Sequence, residues 1–190
     1  MKKLIALLLV AVMALSLAAC GEEEKTTPTT TEAAPVAAPA PLDVLTAAWN
    51  GLAEENKFFA VGGDYNAHVD NAPSTVTDKD YITGTLLVPE AEQANIAEIS
   101  NLVHAMNANN FTCGAYKLAD GADASAFVTA MQTAIKGNQW ICGFPETLLI
   151  ASVDGTIVVI FGHGDIVPPF KTALTTAYPT TQILVEEPLA

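Results

Sequence analysis

The sequence contains no arginine. Its eight basic residues are all Lys, set against 21 Asp and Glu, and the net charge is -13. A phosphate-binding surface needs clustered Lys and Arg, so nucleic acid is excluded as a partner. Only three Cys and three His are present, and no two Cys fall at Cys-x-x-Cys spacing, which argues against a thiol oxidoreductase. Gly-x-Ser-x-Gly, His-Glu-x-x-His, the P-loop and Gly-x-Gly-x-x-Gly are all missing. No residue is therefore read as catalytic or metal-ligating, and no cofactor is expected. No apolar run reaches the roughly 20 residues that span a bilayer, and no repeat of solenoid period is visible. A 51% hydrophobic content with only 15% charged residues excludes a wholly disordered chain.

What is present is organised in three parts: residues 1–19, 20–41 and 42–190. Met1-Lys2-Lys3 is a short basic start, and Leu4 to Leu17 is apolar except for Ser16. That order of charge and apolar run fits a secretory signal. Leu17-Ala18-Ala19-Cys20 resembles the lipobox of bacterial lipoproteins, in which a diacylglyceryl group is added to the Cys sulfur before cleavage ahead of it. The resemblance implies that Cys20 is the first residue of the mature protein and carries a lipid anchor in the cell membrane, on its extracytoplasmic face. Gly21 to Pro41 then lacks Leu, Ile and aromatic residues and is rich in Thr, Pro and Ala. Such a stretch cannot bury enough surface to offset its ordering entropy and is expected to be a disordered tether. In extended form, at about 3.1 Å per residue, it reaches roughly 65 Å.

Residues 42–190 are read as one globular domain holding seventeen acids and five Lys. Helical patterns start at Leu42, at Ala91 (to Ala108) and at Asp123, the last stopped by Gly137. Phe58–Val61, Tyr81–Val88, Phe111–Leu118 and Thr181–Val185 read as strands, with Asp64–Asp80 as a loop. Thr147–Val153 and Thr156–Phe161 flank Asp154-Gly155 and predict a hairpin, central and covered because it is apolar on both faces. Pro168 and Pro169 suit the first turn of a closing helix ending near Tyr178. The fold class is α+β: a mixed sheet of about five strands with a central β-hairpin, packed by three or four helices. The signal, the tether and this order resemble a family of small bacterial lipoproteins carrying a domain of unknown function, chiefly over Ala124–Ile135 and Thr147–Phe161. Membership implies the fold and the anchor.

Several residues invite chemistry. Cys113 and Cys142 lie beyond an export signal, where a disulfide is expected; two buried thiols are the alternative. Gly162-His163-Gly164-Asp165 falls where a strand gives way to a helix. His163 with Asp165 as its orienter would suit ligand binding or acid/base work; the simpler reading is a turn with glycines at positive φ and Asp165 capping the helix. His104, on the expected 91–108 helix, is a zinc candidate only with Cys113 or His163 and is more simply a helix histidine. Asp64, His68, Asp70, Asp78 and Asp80 crowd one loop without the order of an EF-hand and read as solvated. Trp49, Trp140, Phe58 and Phe59 are core residues by default. The expectation is a membrane-anchored, non-enzymatic module binding a small ligand or an envelope protein, against an envelope hydrolase using His163 and Asp165 and a purely structural envelope protein.

Overall fold

The computed structural model describes residues 37–189; the expected signal segment, Cys20 and most of the tether lie outside them. No helix among the described residues is long and apolar enough to cross a membrane. The elements in chain order are α1 (Pro41–Gly51), β1 (Ala60–Gly63), β2 (His68–Asp70), β3 (Ser74–Thr75), α2 (Lys79–Gly84), α3 (Glu90–Gln93), β4 (Ile96–His104), β5 (Phe111–Leu118), α4 (Ala124–Gly137), β6 (Thr147–Val153), β7 (Thr156–Gly162), α5 (Val167–Ala177) and β8 (Gln182–Pro188). The fold is α+β, with eight strands in one sheet of order β2-β1-β4-β5-β7-β6-β8, β3 pairing beside β4. Every pairing is antiparallel, so the expected mixed sheet of about five strands is corrected on both counts. Helices between strands had suggested parallel crossovers. Helices α4 and α5 do make such crossovers, from β5 to β6 over β7 and from β7 to β8 over β6, but an antiparallel strand separates each joined pair, so no two parallel strands are neighbours.

The hairpin turn sets the register of β6 and β7. Asp154 (φ 47°) and Gly155 (φ 99°) both take left-handed backbone, which matches the twist of the strands they join. From Val153↔Thr156 the pairing runs without a break to Thr147↔Gly162. All seven residues of β7 are buried. Its odd and even positions face different layers. Val158 and Ile160 join Leu149 and Cys113 under α1 and α5, through Val44, Leu45, Trp49, Phe170 and Leu174. Ile157, Val159 and Phe161 join Leu148, Ile150 and Tyr116 under α2 and α4, through Tyr81, Ile82, Phe127, Met131 and Ile135. A run of edge-on and tilted rings, Trp49–Phe58–Phe111–Phe170, with centroids 4.9–5.3 Å apart, ties α1 to α5 across the first core.

Two further expectations are overturned. Tyr81–Val88 is no strand, because Asp78 accepts the Tyr81 N–H at 2.8 Å and starts α2, and its apolar side chains point into the second core. Ala91–Ala108 is no long helix: only Glu90–Gln93 is helical, and β4 follows. Within β4, Ser100, Asn101, Leu102 and Val103 are all buried, so both faces are covered and the alternation that marks a strand disappears. Asn101 is tolerated there because its side chain is saturated. Its Oδ1 accepts from Gly63 N–H at 2.6 Å, and its Nδ2 donates to the Gly63 carbonyl and the Tyr81 hydroxyl, each at 2.9 Å. Burial pushes the Tyr81 phenol up to about 12.

The Asp64–Asp80 segment is more ordered than a solvated loop. Asp64 is buried and accepts from the N–H groups of Asn66, Ala67, Thr77 and Asp78 and from the Thr77 hydroxyl. The Thr77 N–H foremost, with the other three, outweighs burial and holds the carboxyl down to about 2. Asp64→Asn is expected to cost about 2–4 kcal/mol at pH 7, since an amide cannot satisfy donors at both oxygens. The folded value lies below the ordinary 3.8, so the stabilisation is present above that pH and is lost as the pH falls towards about 2. Urea melts between pH 7 and 2 check this: the wild type should lose its advantage over Asp64→Asn across that acid window.

Candidate functional site

The antiparallel register sends β1 and β6 out from, and β4 and β7 back to, the same end of the sheet. Ala60↔His104, Val103↔Thr112, Phe111↔Gly162 and Thr147↔Gly162 fix that end, and Pro188 of β8 meets Thr147 there. The chain arrives at the opposite end. The Thr156 hydroxyl donates to the Pro39 carbonyl at 2.6 Å, and Ala38 lies against Gly155. Seven-residue strands at about 3.4 Å per residue put the two ends roughly 20 Å apart.

His104 closes β4. Its Nδ1 accepts from the N–H groups of Met106 (3.2 Å) and Asn107 (3.4 Å), which places the proton of the neutral ring on Nε2. The ring stacks on Phe58 at 5.5 Å with an 8° interplanar angle. Desolvation first, and the neighbouring His163 second, hold its pKa below the ordinary 6.5. His104 therefore sits on a strand and organises a turn, where a helix histidine had been expected.

The turn it organises is built from asparagines. Asn107 Oδ1 accepts from Asn109 N–H at 3.0 Å. The side-chain amides of Asn107 and Asn109 donate to the Cys142 carbonyl at 2.7 and 3.0 Å, and Asn109 reaches the Gly143 carbonyl at 3.2 Å. The 138–146 segment is thereby fastened to the end of β4, with Gly143 at φ 91° turning it back. The next residue, Asn110, accepts the His163 N–H on its carbonyl at 2.8 Å.

Gly162-His163-Gly164-Asp165 is a turn, but for reasons other than those expected. Neither glycine has positive φ. A Cβ on Gly162 would stand 2.5 Å from the Asn110 carbonyl oxygen, and one on Gly164 would stand 2.8 Å from Glu146 Oε2, which accepts the Gly164 N–H. Close approach of two chain segments is what requires glycine at 162. Asp165 does not cap α5, whose N-cap Ile166 makes no side-chain bond; the His163 carbonyl instead accepts from Ile166 and Val167, each at 3.1 Å. Among the described residues His163 and Asp165 make no hydrogen bond or ion pair with each other. The orienting contact that acid/base work would need is not made.

Cys113 and Cys142 are both free, so the expected disulfide is not formed in this structure. Cys113 is wholly buried under α1 and α5, where desolvation pushes its thiol up, whereas Cys142 is exposed on the 138–146 segment. No group of three or more His, Cys, Asp and Glu among the described residues could hold a metal ion. Of the crowded acids, Asp64 and Asp78 hold backbone N–H groups.

What sequence reasoning missed is the exposure around this turn. Phe59 (53%), Met106 (79%), Ile141 (88%) and Phe144 (65%) are half or more exposed, which corrects the expectation that Phe59 is a core residue. Phe59 meets Ala105 through a 2.8 Å backbone bond, Met106 follows, and the Asn107–Cys142 bond carries the rim to Ile141 and Phe144. The flanking Asn, Gly and Pro residues were the available signal, because an apolar residue inside a turn segment has no core to enter. Behind Phe144 lies a 270 Å³ cavity lined by Lys136, Trp140, Pro145 and Leu189. A 630 Å³ groove between Leu42, Ile82, Ile96 and Ile99 lies at the other end, where β4 begins. The chain matches no protein-family model, no curated protein and no solved structure.

His163→Ala is expected to leave the melting temperature nearly unchanged and to move the His104 titration upward without restoring it to 6.5, since desolvation remains. His104's neutral form stabilises the fold above pH 6.5, and that contribution is lost as the pH falls through the depressed value. Proton NMR titration of the His ring signals, beside melts at pH 7 and 5, measures both.

Proposed function

We propose that this protein is an extracytoplasmic lipoprotein, held to the cell membrane through Cys20, whose domain is a non-enzymatic binding module of the cell envelope. The reading is carried by one geometric relation: the chain joins the domain at the hairpin end, and Phe59, Met106, Ile141 and Phe144, four of the eight large hydrophobic residues exposed among the described residues, gather at the other. Ala38 and Pro39 are held beside Gly155 and Thr156, so the described start of the chain does not cover the far rim. Its support in the sequence is the order of Lys2-Lys3, apolar run, Leu17-Ala18-Ala19-Cys20 and Thr/Pro-rich chain. Two acyl chains on Cys20 give a stable anchor, at roughly 0.8 kcal/mol per buried CH2. Glu22, Glu23 and Glu24 keep the first stretch of tether from lying on an anionic leaflet.

In whole cells, Cys20→Ala is expected to move the protein from the detergent phase to the soluble fraction and to abolish labelling by a clickable fatty acid. Full membrane retention without lipid on Cys20 would overturn the anchor. Binding is tested separately, by isothermal calorimetry of the soluble 37–190 fragment, which keeps Pro39 and the start of α1, against envelope extracts fractionated by size. Heat that tracks a protein or small-molecule fraction supports a binding module.

A further inference from the structure

We propose that the rim formed by Phe59, Met106, Ile141 and Phe144 docks a protein whose contact surface is apolar at its centre and bordered by Lys or Arg; this rests on the reading of the chain as a tethered binding module. These four make up half of the eight large hydrophobic residues exposed among the described residues. They are spread over three chain segments, yet hydrogen bonds join those segments: Ala105 N–H to the Phe59 carbonyl, and the Asn107 and Asn109 amides to the Cys142 carbonyl. The apolar groups are thus held outward on a fixed framework, which lowers the ordering cost of an interface. Contiguous exposed apolar surface framed by polar groups marks interaction sites.

Charge selects the partner. The turn Glu54–Asn56 next to Phe58 and Phe59 carries Glu54 and Glu55, and Glu146 and Asp165 frame the other side. Of the basic residues at this end, Lys57 is bound to Glu54 at 2.6 Å, and Lys136, behind Phe144, is bound to Glu187 at 3.1 Å. Lys117 and Lys171 are likewise paired with Glu98 and Glu186, and Lys79 lines the groove at the opposite end. The frame is therefore acidic. It attracts a basic border on a partner and repels both a second copy of this chain and an anionic leaflet.

The test uses the full-length lipidated protein in its own envelope. A photo-crosslinking amino acid is placed at Ile141 or Met106, with Val69 and Leu184, exposed apolar positions on the edge strands, as controls. One discrete protein adduct from the rim positions and none from the controls is expected. The crosslinked protein, once purified, should bind the full chain with an affinity that falls as salt rises. The double variant Ile141→Glu, Phe144→Glu should weaken it at least about tenfold with an unchanged melting temperature. Adducts with lipid, adducts with a second copy, or binding indifferent to the double variant would each overturn the rim. A protein adduct from the controls alone overturns the rim but keeps the binding module, whereas no protein adduct at any of the four positions overturns both.

Discussion

Burial of the central hairpin on both faces is the constraint on which the rest of this molecule depends. A strand covered on one side can alternate apolar and polar residues, but β7 has no exposed residue to spare. Its two faces need two separate covers. One is α1 with α5, joined by the Trp49–Phe58–Phe111–Phe170 rings; the other is α2 with α4, where Tyr116 packs on Phe127 at 5.3 Å and Phe161 meets Trp140 at 5.5 Å. Helix α4 crosses over β7 from β5 to β6 and α5 crosses over β6 from β7 to β8, each covering one face, and the turns that join the elements lie at the two sheet ends. Irregular, polar and exposed chain is thus confined to those ends, and one of them is occupied by the arriving tether segment.

The same two-sided burial decided what was legible beforehand. Thr147–Phe161 is apolar at nearly every position around an Asp-Gly pair, a pattern with few alternatives. Helix α4 announced itself through the Asp123 cap, which accepts from Ser125 and Ala126 N–H groups, and through its buried stripe of Phe127, Met131 and Ile135. The failures fall where tertiary contacts override local pattern. In β4, Ile96, Ile99 and Val103 happen to recur at helical spacing, while Asn101, the residue least expected inside a strand, is the one its partners require. In Tyr81–Val88 the β-branched composition hid a short helix whose start was set by Asp78. At the candidate site, His163 and Asp165 drew attention to the right end of the sheet, but the residues that distinguish that end are apolar ones in turn segments. Their exposure depends on which segments the asparagines fasten together, and no single-segment pattern contains that.

Asparagine has an unusual share of the structural bridging. Besides Asn101, Asn107 and Asn109, Asn71 accepts the Ala60 N–H on its side chain and the Trp49 indole N–H, at 2.8 Å, on its carbonyl. The charge balance gives a physical reason. With seventeen acids and five Lys in residues 42–190, ion pairs are too few to stitch distant segments together. Four of those Lys are already committed to exposed or half-exposed pairs, each worth little in water. A neutral amide carries donor and acceptor in one group, and its burial costs far less than that of an unpaired carboxylate.

Two of the paired lysines serve the sheet's edge. Glu186 and Glu187 are neighbours on β8 and so point to opposite faces; Lys171 of α5 takes the first at 2.6 Å and Lys136 of α4 the second at 3.1 Å. The last strand is thereby clamped between the two helical layers, and Pro188 removes an N–H from its end. An outer strand carrying charge and Pro is a poor template for another chain. The rim around Ile141 and Met106 differs: Lys57–Glu54 and Lys136–Glu187 border it, but Phe59, Met106, Ile141 and Phe144 themselves stay half or more exposed. The guarded stretch Glu186–Pro188 pairs with Thr147–Leu149 and so lies at the same end of the sheet as the rim; within that one end the chain closes the edge strand with charge and Pro and leaves the neighbouring turns apolar and exposed.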